Sequence, residues 1–169
     1  MTQTAFLNLV SPFKDKMYRL AKRLLVSNEE AEDATQEILL KLWTNKAKIA
    51  TYKNTEAFAM TMTKNYCFDR LKSKQAQNLR IVHNNYKDES VELQKKIEHQ
   101  DSLDWIDKLM QQLPSQQRMV MQLRDIEYYE FSDIAKVLEM KETAVRVNLS
   151  RARKTIREQL IKKHNYGIK

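Results

Sequence analysis

Glycine and proline are nearly missing from this chain, which holds one glycine and two prolines in 169 residues. Ordinary proteins use about 7% glycine and about 5% proline. Because tight turns depend on these residues, many-turned β-sandwiches and doubly wound sheets are excluded. Leu, Lys, Gln, Glu, Met and Ala are abundant, and all of them favour helices. We therefore expect an all-α fold.

The first part of the chain, residues 1–76, has the pattern of a three-helix domain. The apolar spacing predicts helices at about residues 12–26, 28–45 and 55–76. Ser11 before Pro12 is predicted to cap the first helix. Ser27 and Glu30 have the spacing of a capping box for the second. A polar connection, 46–54, precedes the third helix, whose candidate core residues are Phe58, Met62, Cys67 and Leu71.

The second part, residues 102–169, follows a polar stretch at 77–101 that is predicted to be a flexible linker with room for a fragment of helix. Helices are expected at about residues 103–113, 115–124, 130–138 and 141–164. The last two are joined by a turn of about three residues, which is typical of a helix-turn-helix unit. We therefore expect two small helical domains, the second containing a helix-turn-helix.

The positive charge lies in two blocks. Residues 1–76 carry 13 Lys/Arg against 8 Asp/Glu, residues 77–113 carry 5 against 7, and residues 114–169 carry 12 against 7. Basic blocks attract polyanions, of which nucleic acid is the commonest. A solvated basic surface without a ligand is the alternative.

Several classes of protein do not fit this sequence. The single cysteine, Cys67, excludes an internal disulfide, and no signal-peptide or membrane-spanning pattern is found, so we expect a cytoplasmic protein without membrane insertion. His83, His99 and His164 lack zinc-ligand spacing, and no glycine-rich phosphate loop or nucleophile motif is present. We expect no metal, no cofactor and no catalytic residues.

The last predicted helix has one apolar side and one basic side. Residues 141–169 hold 9 Lys/Arg against 2 Asp/Glu. Such a helix fits the major groove, where Arg can contact guanine and Ser or Asn can reach other base edges. The basic side consists of Arg146, Asn148, Ser150, Arg151, Arg153 and Lys154.

Two blocks of this sequence resemble the extracytoplasmic-function (ECF) group of bacterial sigma factors. Residues 113–153, with LPSQQRMVMQLRDIE and FSDIAKVLEMKETAVRVNLSRAR, are similar to region 4 of that family. Residues 13–76, with AEDATQEILLKLW at 31–43 and AFAMTMTKNYCFDRLKS at 57–73, are similar to region 2. The sequence most resembles sigma factors of the Bacteroidetes lineage.

The resemblance implies a function and three sets of site residues. Region 2 would bind the clamp helices of core RNA polymerase and the −10 element, and region 4 would bind the −35 element and the polymerase flap. No cofactor is implied, and an anti-sigma factor would regulate the protein. The implied clamp contacts are Asp33, Gln36, Glu37 and Leu40. The implied −10 contacts are Tyr52, Lys64, Asn65, Asp69, Arg70 and Lys72. The implied −35 contacts are Arg124, Lys141, Thr143, Arg146, Ser150, Arg151 and Arg153.

Some of these residues also have purely structural explanations. Asp33 and Glu37 could only support their helix, the latter with Lys41 four residues on. Tyr52 could be a half-buried surface residue, and Asp69 could hold a neighbouring side chain in place.

The sequence departs from the family pattern at several positions. The family usually has glycine near the positions of Tyr128 and Glu139, so Glu139, in the turn of the helix pair, must avoid or tolerate a positive φ, which glycine adopts more easily. Lys141 replaces the usual serine cap. A stand-alone helix-turn-helix regulator remains the alternative function. Exposed Leu39, Leu40 and Trp43 are predicted on the second helix and favour a large protein partner.

Overall fold

The computed structural model describes residues 1–84 and 102–166, and within these ranges it contains helices and no β-strand. The prediction of an all-α fold is confirmed. Most of the predicted linker, residues 85–101, lies outside the described residues. The helices are α1 (Gln3–Leu25), α2 (Asn28–Thr44), α3 (Lys46–Ile49), α4 (Thr55–Asn84), α5 (Ser102–Gln112), α6 (Ser115–Met121), α7 (Phe131–Leu138) and α8 (Glu142–Tyr166).

Helix α1 begins nine residues earlier than the sequence predicted, and Pro12 lies inside it. The predicted cap at Ser11 is wrong, because the Thr2 hydroxyl caps the helix instead. A proline inside a helix removes one backbone hydrogen bond. That loss is offset because the extra turns bury Phe6 and Val10 in the core.

Only half of the predicted capping box forms at the start of α2. The Ser27 hydroxyl accepts the backbone N–H of Glu30 at 3.3 Å, as predicted. The Glu30 carboxylate turns to α4 instead, where it pairs with Lys74 and lies 3.9 Å from Arg70. A tertiary ion pair with a cation has thus replaced the local bond to the backbone.

The third predicted helix exists but is longer, since α4 continues to Asn84 through the start of the predicted linker. Cys67 is fully buried, as expected. Phe58 is 37% exposed, so its place in the core was predicted wrongly. The adjacent Ala59 and Met60 are buried instead. The predicted polar connection 46–54 contains the short helix α3, which buries Ile49.

The second half of the molecule packs α6 and α7 against α8, while α5 packs against α8 in a small satellite cluster. The predicted helix at 115–124 ends in a π-helical turn, Gln122–Ile126. Helices α7 and α8 form the predicted helix-turn-helix. Tyr128 has φ 60° and Glu139 has φ 55°, so both residues at the family's glycine positions adopt the left-handed conformation.

The two halves of the molecule are in contact. Helix α1 touches α6 and the π-helical turn, and α4 touches α7. Most of their buried apolar residues form one continuous cluster, and the satellite cluster between α5 and α8 is separate from it. No helix in the described ranges is long and apolar enough to cross a membrane.

Candidate nucleic-acid interface

A groove between α7 and the exposed side of α8 is lined by three of the seven predicted −35 residues, Arg146, Ser150 and Arg153. Helix α8 buries Val145, Leu149 and Ala152 against the core, so the residues between them face outward. The groove is lined by Phe131, Arg146, Leu149, Ser150, Arg153, Lys154, Arg157 and Glu158. Four cations against one carboxylate make it a site for a polyanion.

Arg146 and Arg151 are both exposed on α8, but only Arg146 lines the groove. The Arg146 guanidinium lies 4.0 Å from the centre of the Phe131 ring, within the range of a cation–π contact. Ser150 is exposed between the two arginines. Lys141 and Thr143 are exposed at the start of the same helix. The arrangement places donors of different lengths along one helix.

Arg124 has a structural task in addition to any contact with DNA. Its Nη1 donates to the backbone carbonyl of Tyr129 at 2.7 Å and lies 3.5 Å from a Glu130 oxygen. Its guanidinium also lies 4.5 Å from the centre of the Phe131 ring. These contacts brace the connection between the π-helical turn and α7.

Arg153 is engaged by a carboxylate within the same half of the molecule. Its Nε donates to an Asp125 oxygen at 3.0 Å and its Nη2 donates to the other oxygen at 2.5 Å. This hydrogen bonding raises the pKa of Arg153 above the ordinary value for arginine. A phosphate would have to compete with Asp125 for this guanidinium.

The predicted −10 residues lie along α4 but differ in accessibility. Asn65, Asp69 and Lys72 are exposed, whereas Lys64 is only 6% exposed. Arg70 donates to the Tyr66 hydroxyl at 3.4 Å and is also near Glu30. Asp69 forms no hydrogen bond within the described part of the chain, so the structural role considered for it is not seen.

Tyr52 is half-buried and lies in the short segment between α3 and α4. Its ring centre lies 4.7 Å from that of Phe58, in a tilted aromatic pair. The pair borders a small pocket that is also lined by Lys41, Leu42, Asn45, Lys48, Ile49 and Met62. Aromatic rings beside a pocket with cations at its rim are suited to stacking on an unpaired base.

The outward side of α2 carries the predicted polymerase contacts. Asp33 and Gln36 are exposed, and Leu40 is 59% exposed. Glu37 is half-buried, 3.5 Å from the Lys41 ammonium, so the supporting ion pair considered for it is present. Exposed Leu39 and Trp43 were also predicted, but both are partly buried, and the Trp43 ring packs edge-on against Phe6.

Sequence reasoning missed the polar contact between the two halves. Arg19 on α1 donates to both carboxylate oxygens of Glu127 at 2.7 and 2.8 Å. The Glu127 side chain is 1% exposed and also accepts from Gln122 at 3.2 Å. This pairing raises the pKa of Arg19. No sequence signal links the two residues, which are 108 positions apart.

A second polar contact lies beside the first. The Tyr129 hydroxyl donates to Glu56 at 2.5 Å, and the Lys16 ammonium lies 2.8 Å from the same Glu56 oxygen. Burial, together with this hydrogen bond, raises the pKa of Tyr129. Residues from α1, α4 and the segment before α7 thus meet in one network.

Two protein families match this chain, and together they account for most of it. Sigma-70 region 2 matches residues 9–77, and Sigma-70, region 4 matches residues 103–156. The ECF RNA polymerase sigma factor SigW of Bacillus subtilis is 23% identical over 94% of this chain and 90% of its own length. The ECF sigma factor SigK of Mycobacterium tuberculosis is 33% identical over 47% of this chain and 43% of its own.

Solved structures with the same fold come from complexes. The sigma factor RpoE bound to the anti-sigma factor NepR from Bartonella quintana has a TM-score of 0.74, with 20% identity over 92% of this chain and 96% of that chain. CnrH in complex with the cytosolic domain of CnrY has a TM-score of 0.68, with 18% identity over 95% of this chain and 90% of that chain. The chain, with both regions in their order, belongs to the ECF group of sigma-70 factors.

Proposed function

We propose that this protein binds core RNA polymerase and directs it to start transcription at specific promoters. The observation that carries the proposal is the presence, on one chain, of both sigma regions with a cationic surface on each. Residues 1–76 are assigned to region 2, 77–101 to the linker and 102–169 to region 4. Polymerase supplies the catalysis, and the protein acts in the cytoplasm, where both partners are found. The lineage resembled by the sequence is that of the Bacteroidetes.

The groove of α7 and α8 is the proposed −35 site. Arg146, Ser150 and Arg151 are all exposed on α8, and a helix that enters the major groove presents its exposed side chains to the DNA. Lys141 and Thr143 are exposed at the start of the same helix. Arg124 and Arg153 are assigned to the edge of the site, because each already has an intramolecular acceptor.

The outer side of α4 and the Tyr52 pocket form the proposed −10 site. Asn65, Asp69 and Lys72 are exposed on that side and supply polar and cationic groups. Tyr52 supports the proposal because its ring borders a pocket, and an unstacked base that enters the pocket could stack on that ring. Lys64 and Arg70 are the remaining two of the six proposed −10 residues. Lys64 is buried and Arg70 contacts Tyr66 and Glu30, so both side chains would have to move to reach DNA.

The outer side of α2 is the proposed contact with the polymerase clamp. Its acidic groups, Asp33 and Glu37, and the polar Gln36 surround the exposed side chain of Leu40. A carboxylate-rich surface with an apolar centre fits a basic partner helix, where charge guides encounter and apolar burial holds the complex. Region 4 would contact the flap.

Regulation by an anti-sigma factor is part of the proposal. The similar sigma factors RpoE and CnrH were solved in complex with NepR and with the cytosolic domain of CnrY. The likeness of fold supports a partner of the same kind here. Such a partner would control access to the surfaces described above.

Reconstituted transcription tests the proposal. Purified protein and core polymerase should start transcripts at discrete sites on genomic templates, and core polymerase alone should not. Arg146→Ala is expected to weaken binding to the −35 duplex by about 1–3 kcal/mol while core binding is unchanged. Leu40→Glu should do the opposite, weakening core binding while the duplex affinity is kept.

Two outcomes would contradict this assignment. Equal affinity of wild type and Arg146→Ala for the duplex would exclude that residue from the −35 site. A protein that binds duplex DNA but neither joins core polymerase nor directs any start would be the stand-alone regulator considered above.

A further inference from the structure

One aromatic ring lies beside two of the proposed −35 arginines. Phe131, the first residue of α7, has the guanidinium of Arg146 at 4.0 Å and that of Arg124 at 4.5 Å from its ring centre. The ring is half-buried and packs against the main core, so its position is set by the fold. A fixed ring at the wall of the groove can therefore position a long side chain that lies against it.

The two arginines differ in what else holds them. Arg124 donates to the Tyr129 carbonyl and has Glu130 nearby. Arg146 makes no hydrogen bond or ion pair in the ranges that the structure describes, so the ring of Phe131 is its one specific contact there. A long exposed side chain otherwise samples many rotamers, and ordering it opposes binding.

We propose that Phe131 is a positioning residue that holds Arg146 in the orientation in which it reads a base edge. The inference rests on the proposed −35 function of Arg146. Stacking leaves the edge of the planar guanidinium free, and that edge carries the N–H groups that guanine O6 and N7 would accept. Arg124 adds a second positive charge beside the same ring, and repulsion between the two guanidiniums favours an incoming acceptor.

The stacking itself is tested without DNA. In the NMR spectrum of the full chain, the Arg146 side-chain protons should show an upfield ring-current shift, with their signals identified by comparison with Arg146→Lys. Phe131→Leu should abolish the shift, and Phe131→Trp should keep it. An unchanged shift in Phe131→Leu would overturn the proposal.

The effect on recognition is measured with a short duplex selected from a random pool by the wild-type protein. Phe131→Leu should weaken binding about two- to fivefold, the size expected of an exposed cation–π contact, and Phe131→Trp should restore it. In an Arg146→Ala background, Phe131→Leu should cause no further loss. Ser132→Ala, an exposed change on the next residue, is the matched control, and thermal unfolding checks that each variant is folded.

The outcomes separate this inference from the function on which it rests. Additive losses for Phe131→Leu and Arg146→Ala would mean that Phe131 acts by touching DNA itself, and the positioning role would be wrong. If Arg146→Ala instead binds the duplex as tightly as wild type, the −35 assignment of Arg146 is wrong, and so is the role of the stacked pair in reading a base. The ring-current shift of the wild-type protein would be unaffected by that result. Loss in Phe131→Leu that occurs only when Arg146 is present supports the proposal.

Discussion

The two cationic surfaces of this protein differ in how their charges are held. On region 4, Arg146 and Arg151 point outward without an acidic partner in the described ranges, so their charge is available to a ligand. On region 2, Lys64 is buried, and the carboxylate of Glu30 holds Lys74 and lies near Arg70. Net charge alone would not separate these surfaces, since residues 1–76 and 114–169 each carry an excess of five positive charges.

The two regions also differ in what packs on them. Helix α4, which carries the proposed −10 residues, packs on α7, whereas the groove between α7 and α8 stays open to solvent. The polar part of the contact consists of Arg19 with Glu127, Arg23 with Gln122 and Asp107, and Tyr129 with Glu56. A side chain on α4 therefore has a neighbour from the other region, whereas the exposed side of α8 has none within the described ranges.

The largest expected effect comes from breaking the contact between the regions. Arg19→Ala would leave the buried Glu127 carboxylate with only the Gln122 amide, and an under-satisfied buried group costs about 1–3 kcal/mol. We expect the lower part of that range because Arg19 is nearly half exposed. Small-angle scattering should show a larger radius of gyration. Lys22→Ala, an exposed cation on the same helix, is the control, and an equal radius for both variants would exclude Arg19 as a determinant of the contact.

The salt dependence of DNA binding should separate the two surfaces next. Arg151→Ala should reduce the slope of log affinity against log salt by about 1 for duplex DNA, because one phosphate contact is lost. Lys64→Ala should leave the slope unchanged in the wild-type background, because the Lys64 side chain is buried. In the Arg19→Ala background, the same substitution should reduce the slope. If Lys64→Ala alone reduced the slope, Lys64 would already be accessible to DNA in the otherwise wild-type protein.

A smaller effect is expected at the turn between α7 and α8. Glu139 has φ 55° and ψ 46°, a conformation that costs a residue with a Cβ more than it costs glycine. Glu139→Gly should raise the free energy of unfolding by about 0.5–1 kcal/mol, measured with urea. Glu158→Gly, in the exposed interior of α8, should lower it by about 1 kcal/mol. A loss of stability at both positions would contradict the strain inferred for Glu139.

At neutral pH the smallest effect concerns the buried thiol of region 2, because this thiol ionises only at high pH. Burial raises the pKa of Cys67 from about 9 to about 12. A raised pKa means that the stabilisation is complete below the pKa of the unfolded chain and is lost as pH rises toward 12. Wild type should therefore lose stability relative to Cys67→Ala between pH 9 and 12. Alkylation of the thiol at pH 8 should be much slower in the folded protein than in urea, and equal rates would show that the core around α4 opens readily.

Local patterns were enough to predict most of the helices and the basic side of α8. The scarcity of glycine and the three-to-four spacing of apolar residues predicted an all-α chain, and the short turn before a basic helix predicted the helix-turn-helix. The same spacing predicted that Val145 and Leu149 would face inward, which leaves Arg146 and Ser150 facing outward. These features depend on neighbours within one or two turns, so the sequence contains them directly.

Most of the wrong predictions have a different cause. A helix start was assigned to Pro12, an expected core position to Phe58 and a local cap to the Glu30 carboxylate. In two of these cases packing with distant parts of the chain decided otherwise, since α1 extends to bury more apolar surface and Glu30 pairs with Lys74 on α4. Phe58 pairs with the nearby ring of Tyr52 and stays partly exposed. Tertiary burial and ion pairing override local preferences of about 1 kcal/mol.

The amino-acid sequence by itself determined the helical class, the two basic blocks and the exposed basic side of α8, because helix periodicity and charge are properties of short segments. Only the tertiary structure decided which cations are free. Glu127 meets Arg19 across more than a hundred positions, and a ring at the start of α7 meets an arginine on α8. Such pairings follow from how the helices pack, and packing depends on the whole set of buried side chains at once.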